Sequence, residues 1–204
     1  YLIEIKKQIS GKPFDIIKSL MNTGIGFKTD HNPDDPNCKN KTLYSDEIIK
    51  NCVVQAIMHG LRIHGNEFNI LGGNFYATKE GLERIVNNHP DLERRIEEDI
   101  KAFKQNPETY IWAIVYEYKL KLKGQQEICK KITVFIRGKQ GNYDIPLDAV
   151  MGKARRKLLK NIYNEINQGF KLEDADDVDE INEELKEIKE SAPKSKVQQL
   201  GKTT

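Results

Sequence analysis

Hydrophobic residues recur every three or four positions in the segment after Ser45, which is the clearest amphipathic pattern of the chain. Its apolar positions are Ile48, Ile49, Cys52, Val53, Ala56 and Ile57. Ser45 is a favourable N-cap, and the two acidic residues that follow it suit the positive end of a helix. The pattern therefore predicts a helix that begins after Ser45 and buries one face in the core.

Similar spacing predicts several other helices. Leu2–Met21 has weak helical periodicity, divided near Gly11 and Pro13. Thr78 is a second N-cap, and we expect its short helix to end near residues 87–88. Pro90 is predicted to open a further helix that stops at Pro107, because helical spacing places one set of apolar residues on a common face: Leu92, Ile96, Ile100 and Phe103.

Apolar and charged residues alternate strictly from Tyr116 to Lys123, and a second run contains the apolar residues Ile128, Ile132, Val134 and Ile136. These patterns predict two strands in the second half. One strand covers residues 110–123 and a second covers 128–137, with a hairpin loop at 124–127. Residues 138–142 are predicted to form a turn. Earlier, Gly72-Gly73-Asn74 separates two short apolar runs and predicts a tight hairpin. Together these elements predict an α+β fold in which a small antiparallel sheet packs against helices.

The last predicted helix, capped by Asp148 and extending to Asn167, has two contrasting faces. Its apolar face consists of Val150, Met151, Ala154, Leu158 and Ile162, and its opposite face of Lys153, Arg156, Lys157 and Lys160. Arg155 falls at the edge of the apolar face, where it either extends to the surface or meets a partner in a cleft. Like charges at this spacing repel one another, and a polyphosphate backbone would offset the repulsion. A solvated basic face is the alternative.

Charge is unevenly distributed along the 204 residues. Residues 172–190 contain ten acidic residues and two lysines, a net charge of −8, so the remainder carries +10. We predict a core over residues 1–170 and an acidic tail over 171–204 that is partly helical and partly disordered. A basic body favours a polyanionic partner such as nucleic acid, although lysine is also a common solubilising residue.

Other composition features exclude several classes of site. The three cysteines lack a Cys-x-x-Cys pair, which argues against a disulfide framework and a zinc site. The chain has no Walker motif, so we expect no P-loop ATP site. We also expect no metal and no other cofactor. There is no apolar run long enough to span a membrane, and charged residues interrupt the N-terminal segment, unlike a secretion signal. We expect a cytoplasmic protein.

One short pattern suggests an enzyme. Pro90-Asp91 and the later Glu117-Tyr118-Lys119 match the Pro-Asp…Glu-x-Lys signature of many Mg²⁺-dependent nucleases. That signature needs the Asp beside a strand, whereas here Pro-Asp is predicted to begin a helix. The pattern is also short enough to arise by chance. A nuclease is therefore kept as an alternative to a protein without catalytic residues.

Three segments resemble the phage-type single-strand DNA annealing proteins of the RecT superfamily. They are Phe27-Lys-Thr-Asp30, the helix and hairpin from Tyr44 to Gly81, and the basic helix within Ile145–Ile166. The middle segment is the most specific, with Gly-Asn-Glu-Phe-Asn-Ile, a glycine turn, an aromatic residue and Thr-Lys-Glu-Gly. The segments cover about a third of the chain in the expected order, while the stretch from Pro90 to Pro107 looks more helical than the family pattern.

The resemblance implies ATP-independent annealing of complementary single strands during homologous recombination. It implies a homo-oligomer, as a ring or helical filament, inside a bacterial cell, and partners such as an exonuclease or a host single-strand-binding protein. It also implies that the closing basic helix contacts the DNA backbone. The residues that we predict to bind DNA are Lys153, Arg155, Arg156, Lys157, Lys160, Lys79, Arg62 and Tyr76. A single-strand nucleic-acid-binding protein that does not anneal remains a further alternative.

Overall fold

The computed structural model describes residues 2–106, 110–140, 143–167 and 171–172. Within these residues the chain forms five helices and eight strands, which confirms the predicted α+β class. The helices are α1 (Leu2–Gln8), α2 (Lys12–Leu20), α3 (Asp46–Met58), α4 (Lys79–Asn87) and α5 (Leu147–Ile166). The strands are β1 (Lys28–Thr29), β2 (Phe68–Leu71), β3 (Asn74–Ala77), β4 (Leu92–Asn106), β5 (Ile111–Leu122), β6 (Ile128–Arg137), β7 (Lys139–Gln140) and β8 (Tyr143–Asp144).

The first sheet has the order β1-β2-β3 and contains the hairpin predicted at Gly72-Gly73. These two glycines have φ values of +56° and +78°. Positive φ at both central residues is what a type I′ hairpin turn requires, and glycine adopts it without steric penalty. Alternate strand residues point into the core, namely Phe68, Ile70, Phe75 and Ala77.

Local sequence signals fix the helices around this sheet. The Ser45 side chain accepts a hydrogen bond from the backbone N–H of Ile48, and the Thr78 side chain accepts one from Gly81. Both predicted N-caps are therefore confirmed. The N-terminal helical region is divided as predicted, because Gly11 has a φ of +68° and Pro13 opens α2.

The second sheet has the order β4-β5-β6, and all of its strand pairs are antiparallel. The predicted strands β5 and β6 are confirmed. The even-numbered residues of the central strand β5 from Ile114 to Leu122 are buried. Helix α5 packs against β5, β6 and α4. A single hydrophobic cluster extends from Ile5 to Leu172 and joins both sheets to the helices.

The helix predicted after Pro90 is wrong, because this segment is the 15-residue strand β4. Two of the apolar residues expected on a buried helix face are exposed, Ile96 at 39% and Phe103 at 38%. The side chains of Arg95 and Glu97 instead face inward and are only 13% and 10% exposed. Pairing along the whole edge of β5 outweighs the local helical pattern, since it satisfies the backbone groups of both strands.

The start of α5 and the region after Gly138 also differ from the predictions. Helix α5 begins at Leu147, so Pro146 and not Asp148 occupies its N-cap position. The region predicted as a turn after Gly138 contains β7, which pairs with β8; residues 141–142 lie outside the described residues. The predicted acidic tail also lies outside them, apart from Lys171 and Leu172. Leu172 is buried, and the Asn164 side chain bonds both to its N–H and to its carbonyl oxygen.

Candidate nucleic-acid interface

Helix α5, which carries most of the predicted DNA-binding residues, is buried on more than one side. Its predicted apolar face is confirmed at Val150, Ala154, Leu158 and Ile162, which are fully buried. Leu159 and Tyr163, on a second side of the helix, are also buried. The helix therefore contacts the fold over most of its circumference, and only a narrow strip of its surface reaches solvent.

Arg156 lies on the second buried side and does not share the exposed strip with the neighbouring lysines. It is 6% exposed, and its Nε donates a hydrogen bond to the carbonyl oxygen of Ala77 at 2.7 Å. Its guanidinium carbon lies 3.5 Å from the centroid of the Tyr76 ring, a close cation–π contact. Arg156 and Tyr76 therefore attach α5 to the end of the β2–β3 hairpin.

Arg155 meets acidic partners within the protein. Its Nη1 bonds to Glu97 of β4, and its Nη2 lies 3.4 Å from a carboxylate oxygen of Glu83 on α4. Arg95 contacts the same two carboxylates, with its Nε 3.0 Å from Glu97. We call these four alternating charges, Glu83, Arg95, Glu97 and Arg155, the charge cluster. The two carboxylates of the charge cluster neutralise the two arginines of the same cluster. Arg155 therefore contributes little positive potential to the surface.

The exposed strip of α5 carries the remaining three predicted cations, Lys153, Lys157 and Lys160, which we call the lysine row. Lys153 is exposed, whereas Lys157 and Lys160 are half-buried. The Nζ of Lys157 lies 3.3 Å from the carbonyl oxygen of Phe135 on β6. At the other end of the helix, Lys130 of β6 forms an ion pair with Glu165 at 2.5 Å. The lysine row therefore follows the β6 side of the molecule.

The other two cations predicted to bind DNA, Lys79 and Arg62, lie in different parts of the fold. Lys79 is exposed at the first position of α4 and forms a long ion pair with Glu80 at 3.7 Å. It is two residues from Ala77, so it lies close to the contact between Arg156 and Tyr76. Arg62 is exposed, and its backbone N–H donates to Glu67 at 2.7 Å. The structure thus brings Tyr76, Lys79 and Arg156 to one corner, while Arg62 belongs to the loop before β2.

The segment Gly60–Gly81, which we call the hairpin joint, is stabilised by a buried ion pair that the sequence reading missed. Glu67 is 6% exposed, and both of its oxygens accept hydrogen bonds from Arg84. The Nη2 of Arg84 also reaches the carbonyl oxygen of Gly60 at 2.6 Å. A Cβ atom on Gly81 would lie 2.3 Å from the carbonyl oxygen of Glu67, so this position has no room for a side chain. The glycine and the buried carboxylate therefore serve the fold.

Asp30 and Tyr44 support the glycine turn of the same hairpin joint. Asp30 accepts hydrogen bonds from the Tyr44 hydroxyl at 2.6 Å and from the Gly72 N–H at 3.1 Å. The Gly73 N–H in turn donates to the Tyr44 oxygen at 2.8 Å. Burial, together with the hydrogen bond to Asp30, raises the pKa of Tyr44 to about 12, so the hydroxyl stays protonated. Two segments that carry the family resemblance thus meet at one turn.

The carboxylates of the nuclease-like pattern are not brought together. Asp91 precedes β4, and its carbonyl oxygen accepts a hydrogen bond from the N–H of Lys123. Glu117 lies six residues away along β5, a separation of about 20 Å at the usual rise of a strand. This pair therefore does not form a two-carboxylate metal site. Among the described residues there is also no group of three or more His, Cys, Asp or Glu side chains placed to hold a metal.

No protein-family model matches the chain, and no curated protein is significantly similar to it. In the part of the chain that the structure describes, no helix has both the length and the apolar character needed to cross a membrane.

Proposed function

We propose that this protein binds single-stranded DNA and anneals complementary strands without ATP, as an oligomer that acts in homologous recombination in a bacterial cell. The observation that carries the proposal is the lysine row on a helix that the fold fixes firmly. The family resemblance adds support, because the resembling segments contribute to one unit through the contacts of Asp30 and Tyr44 with the glycine turn.

The contacts that fix α5 to the rest of the fold favour DNA binding, because a preorganised protein surface loses less conformational freedom when it binds a ligand. Arg156 fixes the helix to Tyr76 and Ala77, and Arg155 fixes it to β4 and α4. These two arginines contact the rest of the fold, whereas Lys153, before them in the helix, is exposed, and Lys157 and Lys160, after them, are half-buried on the β6 side. Cations with defined spacing can therefore meet successive phosphates of one strand.

Annealing by such a surface requires no bond chemistry. Each lysine that contacts a phosphate releases condensed counterions, which favours binding without reference to sequence. A strand held through its phosphates leaves its base edges available to a second strand. Correct pairing then retains the second strand, and the protein contributes charge neutralisation and proximity.

Single lysine substitutions test the role of the row. We expect Lys153→Ala and Lys157→Ala each to weaken binding of an oligothymidylate, because one phosphate contact is lost. Each should also reduce the slope of log K against log salt concentration by about 0.7. The measurement is fluorescence anisotropy of a labelled oligonucleotide over a series of NaCl concentrations.

Lys7→Ala, at an exposed lysine of α1, is the matched control and should leave the slope unchanged. Unchanged slopes for both α5 variants, in a protein that still binds DNA, would remove this helix from the DNA site. Failure of the native protein to bind the oligonucleotide would reject the proposed function itself.

A further inference from the structure

The joined ends of β4 and β5 carry a cluster of aromatic and cationic side chains. Trp112, the only tryptophan of the chain, lies opposite Lys104 in the strand register. The Lys104 Nζ lies 5.5 Å from the centroid of the Trp112 ring and 5.7 Å from that of Tyr110. Lys104 is exposed and both rings are partly exposed. Both aromatic residues therefore have solvent-accessible surface, and the exposed Lys104 lies over their rings.

Gly138 contacts the Trp112 ring and the main chain of Tyr110. A Cβ atom on Gly138 would lie 2.7 Å from two atoms of the Trp112 indole, so the glycine allows the ring to pack directly on the chain. The Gly138 N–H donates to the Tyr110 carbonyl oxygen at 2.7 Å. Tyr110 itself has a φ of +53°, which is unusual for an aromatic residue. Such strained positions are enriched at functional sites.

The aromatic pair lies in line with the lysine row. Helix α5 runs antiparallel to β6, because Lys157 contacts Phe135 while Glu165 contacts Lys130. One helical turn before Lys157 advances about 6 Å, which equals about two strand residues. Lys153 is therefore placed near the end of β6, where Arg137 pairs with Ile111 beside Trp112.

We infer that Trp112 and Tyr110 stack the bases of the single strand whose phosphates the lysine row binds. This inference rests on the proposed function and adds a base-binding subsite to it. Aromatic rings stack on any base, because every base has a π face, so the contact needs no sequence preference. Lys104 leaves the ring faces as a base takes its place, and its ammonium then meets the adjoining phosphate. Bases stacked inside a duplex cannot make this contact, so the subsite favours single strands.

The single tryptophan provides a direct test with the native protein. Its fluorescence is followed during titration with an oligothymidylate and with an abasic oligonucleotide of the same length, while anisotropy of labelled versions reports binding independently. The inference predicts that both bind at low salt but that only the oligothymidylate quenches Trp112. If both oligonucleotides bind but neither changes the Trp112 fluorescence, or both change it equally, the stacking subsite is overturned. The proposed function would still stand in that case. If neither oligonucleotide binds, the proposed function fails and the subsite fails with it.

Substitutions give a second readout. Trp112→Ala should weaken binding of the oligothymidylate by about tenfold, the usual order for loss of one stacked base, and leave the abasic affinity unchanged. Because Trp112 also packs against the core, Tyr110→Leu is the second variant: it retains an apolar side chain and the tryptophan reporter. It should weaken oligothymidylate binding several-fold without affecting the abasic strand. Equal losses on both oligonucleotides would contradict stacking.

Discussion

The hairpin joint and the charge cluster both connect a strand to helices through Arg–Glu contacts, but they distribute their charges differently. In the hairpin joint, one carboxylate with a 7% exposed side chain depends on one guanidinium, that of Arg84. In the charge cluster, Glu83 and Glu97 each contact both Arg95 and Arg155. A single buried pair therefore leaves no substitute when one partner is lost, whereas in a shared set a second carboxylate or guanidinium remains in contact.

This difference predicts a graded response to substitution. Removing one partner of a buried ion pair leaves an uncompensated charge, which destabilises a protein by about 3–5 kcal/mol. Exposed pairs contribute about 0–1 kcal/mol. The charge cluster, whose side chains range from 10% to 34% exposed, should fall between these limits. The following predictions test this ranking, from the largest effect to the smallest.

Gly81→Ala should have the largest effect on the hairpin joint. The new Cβ would lie 2.3 Å from the Glu67 carbonyl oxygen, which already accepts the N–H of Thr78 and cannot move freely. We expect the free energy of unfolding to fall by about 3 kcal/mol or more, as for severe overpacking. Urea unfolding followed by circular dichroism measures it.

Gly152→Ala is the matched control, because Gly152 is also helical but a Cβ atom there has no neighbour within 4 Å. It should stabilise the protein by up to about 1 kcal/mol through helix propensity. Equal stability of Gly81→Ala and the native protein would show that the joint is not closely packed.

Glu67→Gln should lower the free energy of unfolding by about 3 kcal/mol, because Arg84 keeps its charge without a carboxylate partner. The same urea experiment measures it. Glu80→Gln serves as the control, since Glu80 is 58% exposed and its contact with Lys79 is long; its effect should stay within about 0.5 kcal/mol. Similar values for the two variants would remove the distinction between buried and exposed pairs.

Glu97→Gln should have a smaller effect than Glu67→Gln, about 1–2 kcal/mol, because Glu83 still contacts both Arg95 and Arg155 and offsets part of their charge. Combining it with Glu83→Gln should cost more than the sum of the two single changes, since no carboxylate is then left in the cluster. A double-mutant cycle of unfolding free energies measures the coupling. Additive effects would show that the four charges act independently.

The pH dependence of the charge cluster should be the smallest effect. Burial acts to raise the pKa of Glu83, but the hydrogen bond and charge of Arg95, with the charge of Arg155, outweigh it and hold this pKa below its usual value. Because the folded-state pKa is lowered, the stabilisation is present above the unfolded-state pKa and is lost as the pH falls through the folded-state pKa. The stability difference between native protein and Glu83→Gln should therefore shrink between roughly pH 6 and pH 3. A difference that grows over this range would reverse the assigned sign.

The two regions also differ in how far their sequences predict them. The glycine turn and the N-caps Ser45 and Thr78 depend on residues within a few positions of themselves. Turn and capping chemistry therefore predicts the hairpin turn and the two helix starts correctly, but it does not predict the ion pair between Glu67 and Arg84, which are 17 residues apart. The strand β4 depends on β5 and on Arg155, which is 58 residues from Glu97. Its local apolar spacing indicated a helix, whereas backbone pairing with β5 and the distant partners of the inward charges Arg95 and Glu97 stabilise the strand.

At the candidate site, too, the sequence predicts local patterns but not the contacts made by distant residues. Helical spacing correctly predicted the buried positions Val150, Ala154, Leu158 and Ile162, because they share one face. It misplaced Arg156 because it assumes a helix with one buried side, whereas Tyr76 and Ala77 cover a second side of α5. Likewise, Asp30 and Tyr44 were part of the resembling segments, but their hydrogen bonds to the glycine turn follow from the tertiary fold.

An annealing assay is the most direct test of the proposed function. Two complementary oligonucleotides, labelled with a donor and an acceptor fluorophore, are mixed with and without the protein, in the absence of ATP and Mg²⁺. We expect the protein to accelerate the rise in energy transfer. Lys153→Ala should slow this rise, whereas Lys7→Ala should not. Tight binding of both strands with no acceleration would contradict annealing and would leave a single-strand binder.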